Sequence, residues 1–231
     1  MKSVIVLSFL ASIILSASAI AAPAAGVILY NTFLPKGFDS NDNATISISG
    51  ALPDTCYYSP KASVVLNGSE VAIEVSAFKR TEGNCTKMKV PFLLIVDLGV
   101  LDRGTYQVVT SSSATTLPTQ ELKVSESTGQ AVDDYIYAHV EYVDENDFDR
   151  NVTLVGSNPS DCLEFDRVEF VSNGSDTLAV LPIMKQVRDY CPAKEVPFKY
   201  EVEVPRVLRR DVILLHVRTM NGQAVNFLYK N

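Results

Sequence analysis

The chain has 231 residues, a formal net charge of −7, four cysteines, ten tyrosines and no tryptophan. That length accommodates one large or two small hydrophobic cores. The acidity and the lack of a long basic run argue against a nucleic acid or an anionic membrane as partner, and absent tryptophan removes the commonest stacking platform for sugars.

In chain order, the N-terminus reads as a secretory signal peptide over 1–21. Lys2 gives the positive start, Val4 to Leu15 the apolar stretch, and Ala17-Ser18-Ala19 and Ala19-Ile20-Ala21 two cleavage sequences. The expected mature protein is therefore secreted or periplasmic. No later stretch is apolar enough to span a bilayer, so no integral membrane segment is expected after cleavage.

From residue 26 the apolar pattern alternates with period two, the signature of strands. It predicts strands over 27–33, 44–49, 63–66, 70–78, 91–97, 105–110 and 121–124. An acidic turn, Asp39-Ser40-Asn41-Asp42-Asn43, precedes the second of these. Asn67-Gly68 sits between two apolar runs, a strong hairpin signal. A second set follows over 135–143, 152–155, 167–172, 177–183, 198–204, 212–218 and 224–229, with Asn173-Gly174 and Asn221-Gly222 as turns. Its acidic cluster is Asp144-Glu145-Asn146-Asp147-Phe148-Asp149. Ile213-Leu214-Leu215-His216-Val217 reads as a strand covered on both faces. Arg206, Arg209, Arg210 and Arg218 make this last third locally basic, as a solvated edge or as a face for an acidic partner.

The two sets are copies. At a shift of 106 positions Gly50 meets Gly156, Pro53 meets Pro159, Cys56 meets Cys162 and Cys85 meets Cys191. Val90-Pro91-Phe92 meets Val196-Pro197-Phe198. Two copies of about 100 residues suit two tandem domains, over 26–125 and 132–231, better than a solenoid. Four cysteines allow three pairings. The duplication favours Cys56–Cys85 and Cys162–Cys191, each closing its own unit, and an oxidising compartment lets such bonds persist.

The fold expected is all-β, two tandem sandwiches after the signal peptide. Asp102-Arg103-Gly104-Thr105-Tyr106 resembles the tyrosine corner of immunoglobulin-like domains, whose Tyr hydroxyl bonds back to the chain. By that resemblance the chain is similar to the tandem immunoglobulin-like modules of bacterial exported and envelope proteins. It departs from them in having Val212 at the second copy's corner and a cysteine spacing short for the usual bond across the core. Asp39-Ser40-Asn41-Asp42-Asn43 resembles the linker of cadherin-type domains. This resemblance makes Asp39, Asn41 and Asp42, with Asp144, Asn146, Asp147 and Asp149 of the second cluster, candidate calcium ligands; solvated turns are the alternative. No other cofactor is expected.

Asn-x-Ser/Thr occurs at Asn43, Asn67, Asn84, Asn151 and Asn173; at Asn67 and Asn173 a hairpin turn is the better explanation. The two histidines, His139 and His216, fall in strands at unrelated repeat positions. No nucleophile elbow, phosphate loop or dinucleotide fingerprint occurs, so an enzyme is not expected. The function expected is an exported non-enzymatic binding or structural protein, its partner a protein or a cell-envelope component, reached through loops or strand edges. The alternatives are a periplasmic chaperone that caps partners by strand addition, and a secreted hydrolase or inhibitor with a loop-borne site.

Overall fold

The computed structural model describes residues 26–145 and 150–230. The expected signal peptide, and Asn146, Asp147 and Asp149 of the second acidic cluster, lie outside the described residues. Among those described, every regular element is a strand.

Eight strands build the N-terminal part: β1 (Ile28–Phe33), β2 (Phe38–Asp39), β3 (Asn43–Leu52), β4 (Tyr57–Asn67), β5 (Glu70–Lys79), β6 (Val90–Val100), β7 (Gly104–Ser112) and β8 (Gln120–Ser125). They form a three-stranded sheet, β1-β3-β6, facing a five-stranded sheet, β2-β8-β7-β5-β4. Alternate side chains such as Ile46, Ile48, Ile73, Val108 and Leu122 point between the sheets and are almost fully buried. The period-two pattern works here because successive residues of a strand face opposite sides.

Seven strands build the C-terminal part: β9 (Val140–Glu145), β10 (Asn151–Asn158), β11 (Leu163–Ser172), β12 (Thr177–Gln186), β13 (Val196–Glu203), β14 (Val212–Thr219) and β15 (Gln223–Lys230). Their sheets are β13-β10-β9 and β11-β12-β14-β15, around a second core that includes Leu154, Leu178, Ile213 and Leu215. Neither sheet shares a strand with the first sandwich.

All fourteen predicted strands overlap an observed one, with one displacement. The run over 135–143 is split. Tyr137 bridges Ile183 in one sheet, and the chain then crosses to pair β9 with β10 in the other. A continuous apolar run does not reveal such a crossing. The ungapped shift of 106 also breaks locally. Asn67 pairs with Glu70 across a two-residue turn, whereas Ser172 pairs with Leu178 around a longer one. In that longer turn Asn173 Oδ1 accepts the backbone N–H groups of Ser175, Asp176 and Thr177.

Strand pairing departs from the immunoglobulin plan, in which both sheets are antiparallel. Here β5 runs parallel to β7, and β12 parallel to β14. The intervening strand, β6 or β13, lies in the opposite sheet. The chain therefore leaves its sheet and returns in the same direction, as a parallel pair requires. The tyrosine corner itself is formed: Tyr106 Oη donates to the Asp102 carbonyl at 2.8 Å. Tyr106→Phe is expected to cost about 1 kcal/mol, read as a lower urea midpoint with unchanged slope. A variant as stable as the parent would show the bond to be dispensable.

The disulfides join Cys56 to Cys85 and Cys162 to Cys191, with Cα–Cα distances of 5.2 and 5.5 Å. Each ties the start of β4 or β11 to the loop that carries the chain into the opposite sheet. By the chain-entropy account each contributes on the order of 3 kcal/mol.

Candidate functional site at the junction of the sandwiches

β14 is buried on both faces from Ile213 to Thr219. Ile213, Leu215 and Val217 fill the C-terminal core. The opposite face, with His216 and Arg218, turns toward the acidic turn of the N-terminal sandwich. This explains a strand that is apolar nearly throughout yet lies next to the edge strand β15.

Arg218 occupies the centre of this junction. Its guanidinium donates to both carboxylate oxygens of Asp42, at 2.5 and 3.3 Å, and lies 3.7 Å from Asp133. The side chains of Arg218 and Asp42 are 8% and 5% exposed, so the pair is sealed from water. The rings of Phe38 and Tyr137 lie 5.9 and 5.7 Å from the guanidinium carbon. Burial works against the Arg218 charge, but the Asp42 carboxylate outweighs it, and the guanidinium holds its proton more firmly than in water. Burial, with Asp133 and Asp134 nearby, pushes the Tyr137 hydroxyl up to about 12.

The acidic turn also closes on itself and on the linker. Asp42 Oδ2 accepts the Asp39 N–H, and Asp39 Oδ1 accepts the Asn41 N–H. Asn41 Nδ2 donates to the carbonyls of Gly129 and Ala131, which lead into the second sandwich. The positive charge facing Asp42 is thus an arginine of the same chain. Asp144, the described candidate ligand of the second acidic cluster, sits on β9 opposite Thr153. The structure joins Asp39, Asn41 and Asp42 in one turn and places Asp144 on a different element. Among the described residues, the group of three potential metal-ligand side chains is Asp54, Cys56 and Cys85, and both its sulfurs are bonded to each other. Arg218, one of the four arginines singled out in the last third, meets an acidic partner, Asp42, with Asp133 at 3.7 Å.

His216 lies beside this cluster and is 1% exposed. Its Nδ1–H donates to Asn226 Oδ1 at 2.8 Å, the Phe38 ring meets it edge-on at 5.8 Å, and Nε2 is buried without a partner. Burial, reinforced by Arg218, lowers the imidazole from 6.5 to about 4. The unfolded chain binds this proton below about pH 6.5 and the folded chain does not. Stability is therefore complete above that pH and lost as pH falls toward 4, by up to about 3 kcal/mol. Unfolding free energies at pH 7.5 and 4.5 should differ more for the parent than for His216→Gln. Equal differences would remove His216 from the acid response. His139, in contrast, contacts the Ser157 carbonyl at the edge of the second sandwich, away from this cluster.

A second contact lies alongside. Asn31 Nδ2 donates to Asp176 Oδ2 at 2.8 Å, and Asn173 Nδ2 donates to the Leu34 carbonyl. Beside it a cleft of about 460 Å³ opens between the sandwiches, walled by Tyr30 and Phe92 on one side and Val212 and Arg210 on the other. Sequence reasoning missed this cleft, because its walls come from strands far apart in the chain. The buried polar residues Asp42 and Asp176 were the available signal, but in sequence they read as ordinary turn residues.

These observations define an all-β protein of two sandwiches held together by a buried ionic cluster. Residues 46–116, from β3 to just beyond β7, match the family model of the ORF11 beta-sandwich domain, so the N-terminal sandwich is similar to that family over this part. No curated protein and no solved structure matches the chain.

Proposed function

We propose that this is an exported, non-enzymatic binding or structural protein. In this reading its two sandwiches are tandem, duplicated modules related to immunoglobulin-like domains in strand count and, in the first copy, in the tyrosine corner, rather than in pairing. The observation that carries the reading is the junction. A buried Arg218–Asp42 pair and the Asn31–Asp176 bond join the copies across residues distant in sequence. Such a joint suits a spacer or a two-module binder that presents its loops, cleft and free strand edges in one arrangement. The two disulfides fit an oxidising compartment, which supports export. No described helix is long and apolar enough to cross a membrane.

Intact mass of the exported full-length product tests this. A mature N-terminus at residue 20 or 22 with both pairs oxidised supports the reading; retention of 1–21 or free thiols overturns export. Hydrolase and inhibitor screens test the other half, and turnover above background would overturn a non-enzymatic role. Because Arg218 already faces Asp42, neither calcium nor a chelator is expected to shift the melting temperature. A calcium-dependent rise would make the acidic turns a metal site.

A further inference from the structure

The two copies treat one edge of their sandwiches differently. β4 is an outer strand of the five-stranded sheet, and its counterpart β11 is an outer strand in the second sandwich. An unpaired edge is a template for another strand, and proteins commonly guard it with charge. On β11 that guard is present: Arg167 pairs with Asp166 and Glu169 at 2.6 and 2.7 Å, and Glu164 faces Lys185. At the matching positions β4 has Pro60, Ser63 and Tyr58, while Lys61 remains where Arg167 stands; Pro60 and a bulge between Tyr58 and Lys61 interrupt the ladder at that end, so the edge open to a partner strand runs from Lys61 to Asn67. The carboxylates are gone and the cation is kept.

The consequence is a cationic, aromatic and partly apolar edge. Tyr58 stacks on Phe78 at 5.8 Å, Lys61 Nζ lies 4.7 Å over Phe78, and Arg80 lies 5.5 Å from the Tyr58 centroid. Lys61 and Arg80 form no ion pair among the described residues. Further along the same strand all residues from Ser63 to Asn67 are exposed, with Val65 at 60% and Leu66 at 52%. Over 54–63 and 78–89 the chain carries five cations against two carboxylates, a net +3 in a protein of −7. The same stretches of the other copy, 160–169 and 184–195, carry four cations against six carboxylates, a net −2.

We infer that the free edge of β4 is a docking site for an extended polypeptide segment that alternates acidic and apolar side chains. The partner adds as a strand, its carboxylates meeting Lys61 and Arg80 and its apolar groups covering Val65 and Leu66. The unpaired edge favours a polypeptide over an anionic polysaccharide, which has no main-chain amides to continue a ladder. Because cations cover the aromatic faces, the surface offers charge rather than open stacking platforms. This inference rests on the binding-protein reading above and names a surface and partner chemistry for it.

The test uses the full exported chain and a labelled nine-residue peptide alternating valine and glutamate. Fluorescence anisotropy is expected to show saturable binding. Ser63→Glu and Tyr58→Glu, which return the carboxylates of the other copy, should each weaken it roughly tenfold, about 1.4 kcal/mol. Both sites are exposed, and unchanged melting temperatures would confirm intact folding. A peptide with lysine for glutamate, or one N-methylated at alternate residues, should not bind. Equal affinity for the N-methylated peptide would overturn strand addition, and so would heparin binding without peptide binding. Capture of an envelope partner through another surface, with no peptide bound at β4, would sink this inference and leave the binding-protein reading standing.

Discussion

Arg218→Met is expected to lower the unfolding free energy by about 3–5 kcal/mol, because it leaves the Asp42 carboxylate buried and uncompensated. The long methionine side chain keeps most of the volume between Phe38 and Tyr137, so a cavity accounts for little of the loss. The charge is what matters, and a double-mutant cycle isolates it. Asp42→Leu alone strands the guanidinium, with only Asp133 at 3.7 Å to face it. Asp42→Leu combined with Arg218→Met removes both charges and should recover much of the stability, since a buried ion pair often differs little from an apolar replacement of similar volume. Urea unfolding followed by far-UV circular dichroism and by tyrosine fluorescence measures all four proteins. Two probes are needed because two cores unfold, and loss of the junction should separate transitions that otherwise coincide. A loss below about 1 kcal/mol for Arg218→Met would mean that water reaches the pair and that the sandwiches are not joined through it.

Gly156→Ala is the second large effect. Gly156 lies on β10 opposite Val140, where the register with β9 shifts. A Cβ at this position would stand 2.0 Å from the His139 carbonyl oxygen and 3.0 Å from the Val140 Cα. Both are backbone atoms, so no rotamer change makes room and the two strands must separate. The expected cost is about 3 kcal/mol or more, at the upper end for overpacking. Gly50, its partner in the first copy, faces the same restriction: its Cβ would fall 2.5 Å from the Ile28 carbonyl and 2.6 Å from Phe92 Cζ. That ring offers some give, but the carbonyl does not. Gly104→Ala is the control. Its nearest neighbour would be Tyr106 at 3.7 Å, an ordinary contact, and the change should stay within about 0.5 kcal/mol. Thermal melts of the three variants suffice. If Gly156→Ala melts with the parent, the close approach of β9 to β10 is not as described.

The shared glycines show why part of this architecture was legible beforehand. Gly50 and Gly156 stand in register in the repeat because the same strand in each sandwich passes too close to its neighbour for any side chain. Phe92 and Phe198 stand in register because each sits across the ladder from that glycine. The four cysteines pair within their copies, as the duplication implied. The Asn67-Gly68 and Asn221-Gly222 turns place Gly68, Asn221 and Gly222 at positive φ, the conformation these residues adopt at least cost.

Other features depend on contacts that one strand's pattern does not encode. Period-two alternation marks which side chains face a core, but not which strand lies alongside or in which direction, so the parallel β5–β7 and β12–β14 pairs stayed hidden. The acidic turn offers a related case. In sequence, Asp39-Ser40-Asn41-Asp42-Asn43 has the composition of an exposed or metal-binding loop. The fold brings Arg218, 176 positions away, against Asp42 and turns a polar loop into part of a buried joint.

The features readable from the chain before folding are local and periodic: all-β class, strand positions, turns, duplication and disulfide pairing. Each follows from backbone preferences or from side-chain alternation, which act within a few residues, or from copying, which preserves them. The pairing partners, the junction around Arg218 and the contrast between the β4 and β11 edges emerge only in the folded chain. Those depend on the burial of charge and on strand neighbours, which exist only once distant segments have met.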